Sequence, residues 1–560
     1  MPIESRWTTP IPNVSLQKWV FGSSFEPLPS VKVFMDADCP DERYVTFEDY
    51  RLLSKRLALG LKRAGLANRD RVLLYAGNSI YYPSMLMGVV MSGGIFVGAS
   101  SAFGSRELAY QLQDSGAKFL IVHEDGLGSA LEAISTVGLS KSQIYVFDEF
   151  ITPTGETKPG DAEHWSKLLA GPEEARQFSW VEPENPREVT CCLNYSSGTT
   201  GLPKGVEITH YSYVANGEAQ VHLELGNVSS NNSNGPRTSL CFLPMYHAAG
   251  QTTFIANNPK MQFQTAIMPK YNFEDVLRHI QRFRISTLSV APAVVLQLAK
   301  SPLTAQYDLS SIKEILCGTA PLSPEVAAEA ERKIWPNGEN FIHQGWGMTE
   351  ITCAGLMWSY DDMKKTSSVG EVVPNGRLRI RNGDVEITEP NKPGELWFSG
   401  PTLMKGYWLN PKADNETIVE EDGSRWIRTG DVVFVDRYGQ GAKVHLVDRL
   451  KELIKVRGLQ VSPSELEGIL LDRKDIADAG VVGVQVHGEE VPRAYVVRTS
   501  GVTEQEIIGW VEERVAKYKR LRGGVVFVDS IPRTLSGKIL RRNLRAMGSS
   551  AGTSLKAKLA

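Results

Sequence analysis

Eleven residues, Tyr195-Ser196-Ser197-Gly198-Thr199-Thr200-Gly201-Leu202-Pro203-Lys204-Gly205, constrain this chain more than any other stretch. They hold three glycines, four serine or threonine hydroxyls and a single lysine. Glycine lets a backbone present its N–H groups at close range, hydroxyls add donors, and lysine adds a point charge, so the run is suited to wrapping a polyphosphate. The order Gly-x-x-x-x-Gly-Lys-Ser/Thr is missing, which excludes a Walker-type loop. On composition alone the run also suits a polar surface turn.

At 560 residues the chain exceeds what one hydrophobic core holds, and two or more domains are expected. Its 42% hydrophobic and 22% charged residues are those of an ordinary globular protein. A formal charge of -3 gives no electrostatic case for nucleic acid or an anionic membrane. The six cysteines lack metal-ligand spacing and fit a reducing compartment; Cys191-Cys192 read as core. Residues 1–24 show no basic segment followed by an apolar run, so no signal peptide is expected. Ala557-Lys558-Leu559 resembles the peroxisomal tripeptide, but Ala560 follows it. The expectation is a cytoplasmic protein, peroxisomal only with a C-terminus at Leu559.

Residues 76–105 carry no charge, and that length would span a bilayer. Pro83, Gly93, Gly94 and Gly98 interrupt the run, so it is read as a buried helix over 82–91 and a buried strand over 95–99. Thr46, with Asp49 three residues on, caps an amphipathic helix. Strands over 72–75, 95–99 and 119–122 alternate with helices near 84 and over 106–114, which predicts an α/β domain with a largely parallel sheet. A polar loop over 226–239 follows. The rhythm then resumes with a strand over 240–243, a helix over 273–282, a strand over 287–290, a helix over 293–299 and a strand over 314–317. Short strands from about 370 predict a small β-rich subdomain. Beyond the charged run 448–452 a compact α+β unit is expected: a helix from Ser464, strands over 479–484 and 494–497, a helix over 504–518 and a basic stretch over 538–545. The tail from 549 reads as disordered.

Five further segments carry chemistry. Leu243-Pro244-Met245-Tyr246-His247 closes a predicted strand and puts an aromatic–histidine pair where open α/β sheets bind ligands, although His247 alone also suits a structural role. Gly318-Thr319-Ala320-Pro321 has no side-chain bulk at its start. It offers a backbone on which a planar base can lie, and it equally suits a strand-to-helix turn. Gln344-Gly345-Trp346-Gly347-Met348-Thr349-Glu350 supplies an aromatic face, a hydroxyl and a carboxylate. Arg428-Thr429-Gly430-Asp431 offers a carboxylate to paired ribose hydroxyls, or a turn. Pro532-Arg533-Thr534-Leu535-Ser536-Gly537-Lys538 sets one lysine on a Gly/Ser turn.

Together and in this order, these segments resemble the signatures of the adenylate-forming superfamily, which contains acyl-CoA synthetases, firefly luciferase and peptide-synthetase adenylation domains. The resemblance covers residues 40–546 and is strongest to the 4-coumarate–CoA ligase-type acyl-CoA synthetases. It implies a luciferase-like adenylating α/β fold: stacked α/β sheets and a small β-barrel-like subdomain (about 370–447) in an AMP-binding domain over 1–449, a small mobile α+β lid over 450–546, and a tail over 547–560.

By the same resemblance, ATP is held by Ser196, Ser197, Gly198, Thr199, Thr200 and Lys204, by Gly318 to Pro321, and by Gln344 to Thr349. Within the last group Trp346 stacks on adenine where most relatives have tyrosine, and Thr349 meets the phosphate and the acyl carboxylate. Glu350 binds Mg²⁺, Asp431 and Arg449 hold the ribose, and Lys538 reaches the α-phosphate and the attacking carboxylate. His247 gates an acid pocket formed with Tyr246, Ala248, Gly318, Gly345, Cys353 and Ala354. Lys455, Arg457, Gly458 and Gln460 match positions for CoA, and Lys451 matches the hinge. Ile351-Thr352-Cys353-Ala354 stands where plant ligases carry Ala-Gly-Pro-Val, which puts hydroxycinnamate itself in doubt.

The implied reaction joins a carboxylic acid, aryl or medium-chain, to CoA through acyl-AMP, with ATP and CoA as co-substrates and Mg²⁺ as cofactor. No nucleic acid or membrane span is expected, and the chain is read as a monomer or homodimer. A separate carrier-protein thiol in place of CoA, or luciferase-like oxygenation, are the alternatives. Intact Lys204, Glu350, Asp431 and Lys538 argue against a binding protein without catalysis.

Overall fold

The charge-free run folds into a buried helix and a buried strand. Tyr82–Met91 is a helix with all of its residues buried, and Ile95–Ala99 is a strand buried along its length. Pro83 sits in the helix's first turn, where a missing N–H forfeits no helical bond. The helix packs against Phe47–Arg63, which opens with the capping box of Thr46 and Asp49. At Gly88 an added Cβ would lie 2.8 Å from the Leu57 side chain, so only glycine permits this helix approach. Among the residues described in this computed structural model (1–151, 162–196, 202–225, 237–359, 365–457 and 459–547), no helix is long and apolar enough to cross a membrane.

Two seven-stranded sheets, the first containing Ile95–Ala99, build the large domain. The first runs Lys204–Thr209, Thr190–Ser196, Ile95–Ala99, Arg71–Tyr75, Phe119–His123, Ile144–Phe147, Glu163–His164. It is parallel except for the first pair. The second runs Ile342–Gln344, Glu314–Cys317, Thr287–Val290, Thr238–Cys241, Gln264–Ile267, Lys32–Asp36, Tyr44–Thr46, parallel except for the last pair. Parallel strands buried on both faces read as continuous apolar runs, as Ile95–Ala99 and Phe119–His123 do, whereas Thr287–Val290 and Glu314–Cys317 alternate in burial.

A third seven-stranded sheet, antiparallel, builds the β-rich region from Arg377–Asn382, Gly394–Ser399, Ser424–Val435, Val444–Arg449 and shorter strands. Its edge is Ile3–Glu4, so this sheet also recruits the N-terminus, a long-range pairing with no local signal. The small C-terminal domain has its own core, in which the hairpin Ile476–Val486/Glu489–Arg498 and parallel Val525–Phe527 carry the helices Pro463–Leu471 and Glu504–Glu512.

Three expectations need correction. The strand expected over 240–243 is Thr238–Cys241, which also shortens the expected loop. Pro244 cannot donate to a ladder, and the Asn78 carboxamide takes over: it donates to the Leu243 carbonyl at 3.0 Å and accepts from Met245 N–H at 2.9 Å. The helix expected over 504–518 ends at Glu512, and Val515 and Tyr518 fold back onto the C-terminal core. His247 consequently does not close a strand; it caps the short helix Ala248–Gly250. Residues 226–236 and the tail over 548–560 lie outside the described residues.

Candidate active site

Where the second sheet's strands Glu314–Cys317 and Ile342–Gln344 end, the chain opens a cleft of about 1240 Å³ between the large domain and the C-terminal unit. Carboxyl ends of parallel strands are where α/β sheets leave room for ligands. Thr319, Ala320, Pro321, Gln344, Gly345, Trp346, Gly347, Asp431, Arg449 and Lys538 all border it. The strand-to-helix turn is held by Gln344, whose Oε1 accepts from Leu322 N–H at 3.0 Å. A Cβ added to Gly318 would meet only the Gly345 carbonyl, at 3.8 Å, so the two glycines leave a bare backbone wall. Thr319 stands at φ +75°, a strained value for a β-branched residue, and its hydroxyl donates to the Ser536 carbonyl at 3.1 Å. That bond docks the Thr534–Lys538 turn of the C-terminal unit onto the large domain.

The turn itself is tightly specified. Gly537 adopts φ +86°, Lys538 N–H donates to Thr534 Oγ1 at 3.1 Å, and Arg533 ties the turn to Asp478 at 2.8 Å. Lys538 is thereby carried into the cleft. Burial and the like charge of Arg449 lower its pKa to about 8, against the opposing pull of Asp431 and Glu350. His247, lowered to about 4 by burial and by the Lys538 cation, is neutral at pH 7. Tyr246 lies beside it, ring centroids 5.4 Å apart.

Asp431 faces Arg449 across a strand pair, with Arg449 Nε 3.4 Å from Asp431 Oδ1. Trp346 Nε1–H donates to the other oxygen at 2.7 Å. Burial holds the Asp431 carboxyl above its ordinary pKa, and Arg449, the indole N–H and Lys538 oppose that rise. The indole N–H therefore supplies a hydrogen bond at the position where the resemblance expects a phenol.

Glu350 is buried, near enough to Lys538 to pull on its charge. One carboxylate oxygen accepts from Tyr407 O–H at 2.8 Å, and the other has no hydrogen-bond partner among the described residues. Tyr407 lies on a segment that pairs with Lys204–Thr209: Trp408 N–H donates to the Gly205 carbonyl, Lys405 N–H to the Glu207 carbonyl, and Glu207 N–H to the Gly406 carbonyl. Lys204 Nζ sits 4.6 Å from the Tyr407 ring centroid, so one tyrosine links the lysine and the carboxylate. Thr349 is partly exposed beside Glu350, and Met348 caps their 3₁₀ turn.

Ser196 and Lys204 pair directly, bringing the ends of the glycine-rich run together. Ser197, Gly198, Thr199, Thr200 and Gly458 lie outside the described residues. Ala248 is buried, whereas Cys353 and Ala354 are partly exposed behind the Trp346–Gly347 strand. Lys455, Arg457 and Gln460 occupy the hairpin Ile454–Val456/Leu459–Val461, exposed and away from the cleft, with Arg457 held by Glu489 at 2.7 Å. Lys451 is exposed in the turn between the domains. Sequence reasoning missed Asn78 and Tyr407. Each acts through a contact more than 50 residues away along the chain, and nothing in its own neighbourhood marks it.

Residues 29–408 match the family described as AMP-binding enzyme, and residues 465–538 match the AMP-binding enzyme C-terminal domain. The chain belongs to this adenylate-forming family. It is an AMP-forming acid–CoA ligase, in line with relatives that align over nearly all of it. A phenylacetyl-CoA ligase of Aspergillus niger, epaB, is 34% identical over 550 residues, covering 95% of this chain and 97% of its own. The 4-coumarate–CoA ligase of Pinus taeda is 34% identical over 527 residues, covering 92% and 93%. In fold, the chain is similar to the anthranilate CoA ligase AuaEII in complex with anthranoyl-AMP, with a TM-score of 0.81 at 22% identity over 97% of this chain and 99% of that one.

Proposed function

We propose that the chain activates an aryl carboxylic acid with Mg·ATP and passes the acyl group to free CoA. The observation that carries this reading is Lys538 held in one cleft with Asp431, Arg449 and Trp346, with Glu350 and neutral His247 close enough to shift or feel its charge. In the first step a carboxylate oxygen attacks the α-phosphorus of ATP, the bond to pyrophosphate breaks, and acyl-AMP forms. Negative charge accumulates on phosphate oxygens, and catalysis rests on positioned cations and donors. Lys538 supplies one cation at the α-phosphate and Lys204 another at the glycine-rich run. Asp431 and Arg449 hold the ribose, and the Gly318–Gly345 wall with Trp346 receives adenine. His247, neutral, closes the acid pocket without attracting a second proton.

Glu350 suits Mg²⁺, which takes one or two protein carboxylates together with phosphate oxygens and water. Its second oxygen is free, and no cluster of three metal-binding side chains exists among the described residues. When bound there, Mg²⁺ would supply positive charge to phosphate oxygens, with Glu350 as its protein carboxylate.

In the second step the CoA thiolate adds to the acyl carbon and AMP leaves. Lys538 cannot occupy the site while the thiol approaches it, so the C-terminal unit turns about Lys451 and brings Lys455, Arg457 and Gln460 to the cleft. The 4-coumarate and phenylacetyl specificities named for the relatives, and the partly exposed Tyr246 ring beside His247, support an aryl acid. The test is a panel of benzoic, phenylacetic, cinnamic and C6–C12 aliphatic acids, following pyrophosphate release and acyl-CoA together. An aryl acid should give the highest kcat/KM for both. Preference for an aliphatic acid would overturn the acid class, and pyrophosphate release without acyl-CoA would overturn CoA as acceptor.

A further inference from the structure

Asp448 stands on the large-domain side of the turn at Lys451, at the end of the strand Val444–Arg449, and is buried. Its partners lie on the other side. Oδ2 accepts from Ser462 Oγ–H at 2.7 Å and from Ser464 N–H at 3.1 Å, which places a carboxylate on the first turn of the helix Pro463–Leu471. Negative charge at a helix start is favourable, and both bonds are accepted by one carboxylate oxygen. Ser462 Oγ–H also reaches the Val447 carbonyl at 3.1 Å, so two consecutive residues before the hinge grip one residue beyond it.

The same helix leads to Lys538. Glu467 accepts from Arg541 through both guanidinium nitrogens, and Arg541 Nε lies 3.0 Å from Glu452. Arg541 also donates to the Val481 carbonyl at 2.7 Å. It follows Lys538 by three residues and is almost wholly enclosed, with its pKa held above the usual guanidinium range by these acids. A continuous set of bonds therefore runs Asp448, Ser462, helix, Glu467, Arg541, Lys538.

We propose that Asp448 is a positioning residue for the adenylation step: its carboxylate latches the C-terminal unit in the orientation that delivers Lys538, and the latch opens when the unit turns for thioester formation. A turn about Lys451 moves Ser462 and Ser464 and leaves Asp448 in place, so the two bonds to Oδ2 exist in one orientation only. This inference rests on the two-orientation reading of the proposed function.

The experiment measures the two half-reactions separately: acyl-AMP formation in a single turnover with ATP and acid, and thioester formation from supplied acyl-AMP and CoA. In Asp448→Ala, acyl-AMP formation should fall by at least about tenfold, as expected for losing hydrogen bonds to a carboxylate. Thioester formation should be unchanged or faster. Ser462→Gly, which keeps most of the helix cap, should show the same split to a smaller degree. Equal losses in both half-reactions, or full adenylation in both variants, would overturn the proposal. Lys451→Pro separates the readings: if it too fails to split the half-reactions, the two-orientation reading itself is wrong. If it splits them while Asp448→Ala and Ser462→Gly do not, only the latch is wrong.

Discussion

In the proposed reaction Lys538 is the residue on which the chemistry turns, and its surroundings set a pH limit. In the free enzyme its ammonium loses its proton as pH rises through about 8. Burial disfavours the charged form, so the charge needed for adenylation disappears earlier than on an ordinary lysine. Accordingly kcat/KM for ATP, which reports groups of the free enzyme, should fall above pH 8 in the wild type. Lys538→Ala should lower adenylation by about 10²–10³-fold, in the range for removing one preorganised transition-state donor, and should abolish that alkaline limb. A mutant keeping both its rate and the limb would take Lys538 out of the reaction. At this scale the sequence was informative: Asp431, Glu350, Trp346 and Lys538 stand out because each is a chemically distinct group within a short glycine-marked motif. The motif did not disclose that Trp346 is bonded to Asp431, because 85 residues separate the two and only the fold brings them to 2.7 Å.

Among the elements, the unexpected contributor is the segment around Tyr407. It lies on the strand that opens with Lys204 and hands one hydroxyl to Glu350. Tyr407→Phe removes a bond to a carboxylate, a change of about 1.5–3 kcal/mol, while leaving the ring against Lys204. The expected result is a roughly ten- to hundredfold loss in kcat/KM for Mg·ATP with a thermal midpoint close to wild type. An unchanged kcat/KM across a Mg²⁺ titration would reduce Tyr407 to a packing residue. Helices and parallel strands were otherwise legible, since buried apolar runs, caps such as Thr46 and breaks at glycine act locally. The misread ends have non-local causes. Asn78 replaces the ladder at Pro244, and the core beneath Val515 draws the chain out of helix.

The molecule as a whole is a large domain and a small C-terminal one; Lys451 lies in the turn between Val444–Arg449 and Ile454–Val456, the proposed hinge, and Lys538 borders the cleft while the 454–461 hairpin does not. Lys451 N–H donates no hydrogen bond among the described residues, so proline there removes none from this arrangement. By fixing φ it restricts the turn to another. Lys451→Pro should therefore keep acyl-AMP formation within a fewfold and slow thioester formation from supplied acyl-AMP by at least about tenfold. Stopped-flow measurement of each step checks this, and parallel losses would refute a hinge at this position. The sequence by itself determined the class of fold, the order of the motifs and the groups available for phosphate chemistry, because apolar periodicity and motif composition are carried by neighbouring residues. Tertiary structure alone decided which groups meet: Ile3 on the edge of the β-rich sheet, Tyr407 on Glu350, Ser462 on Asp448 and Ser536 on Thr319. All but the Ser462–Asp448 bond, which spans 14 residues across the turn at Lys451, close a long loop of chain. Their geometry is set by the packing of whole sheets and domains, to which no single segment holds the information.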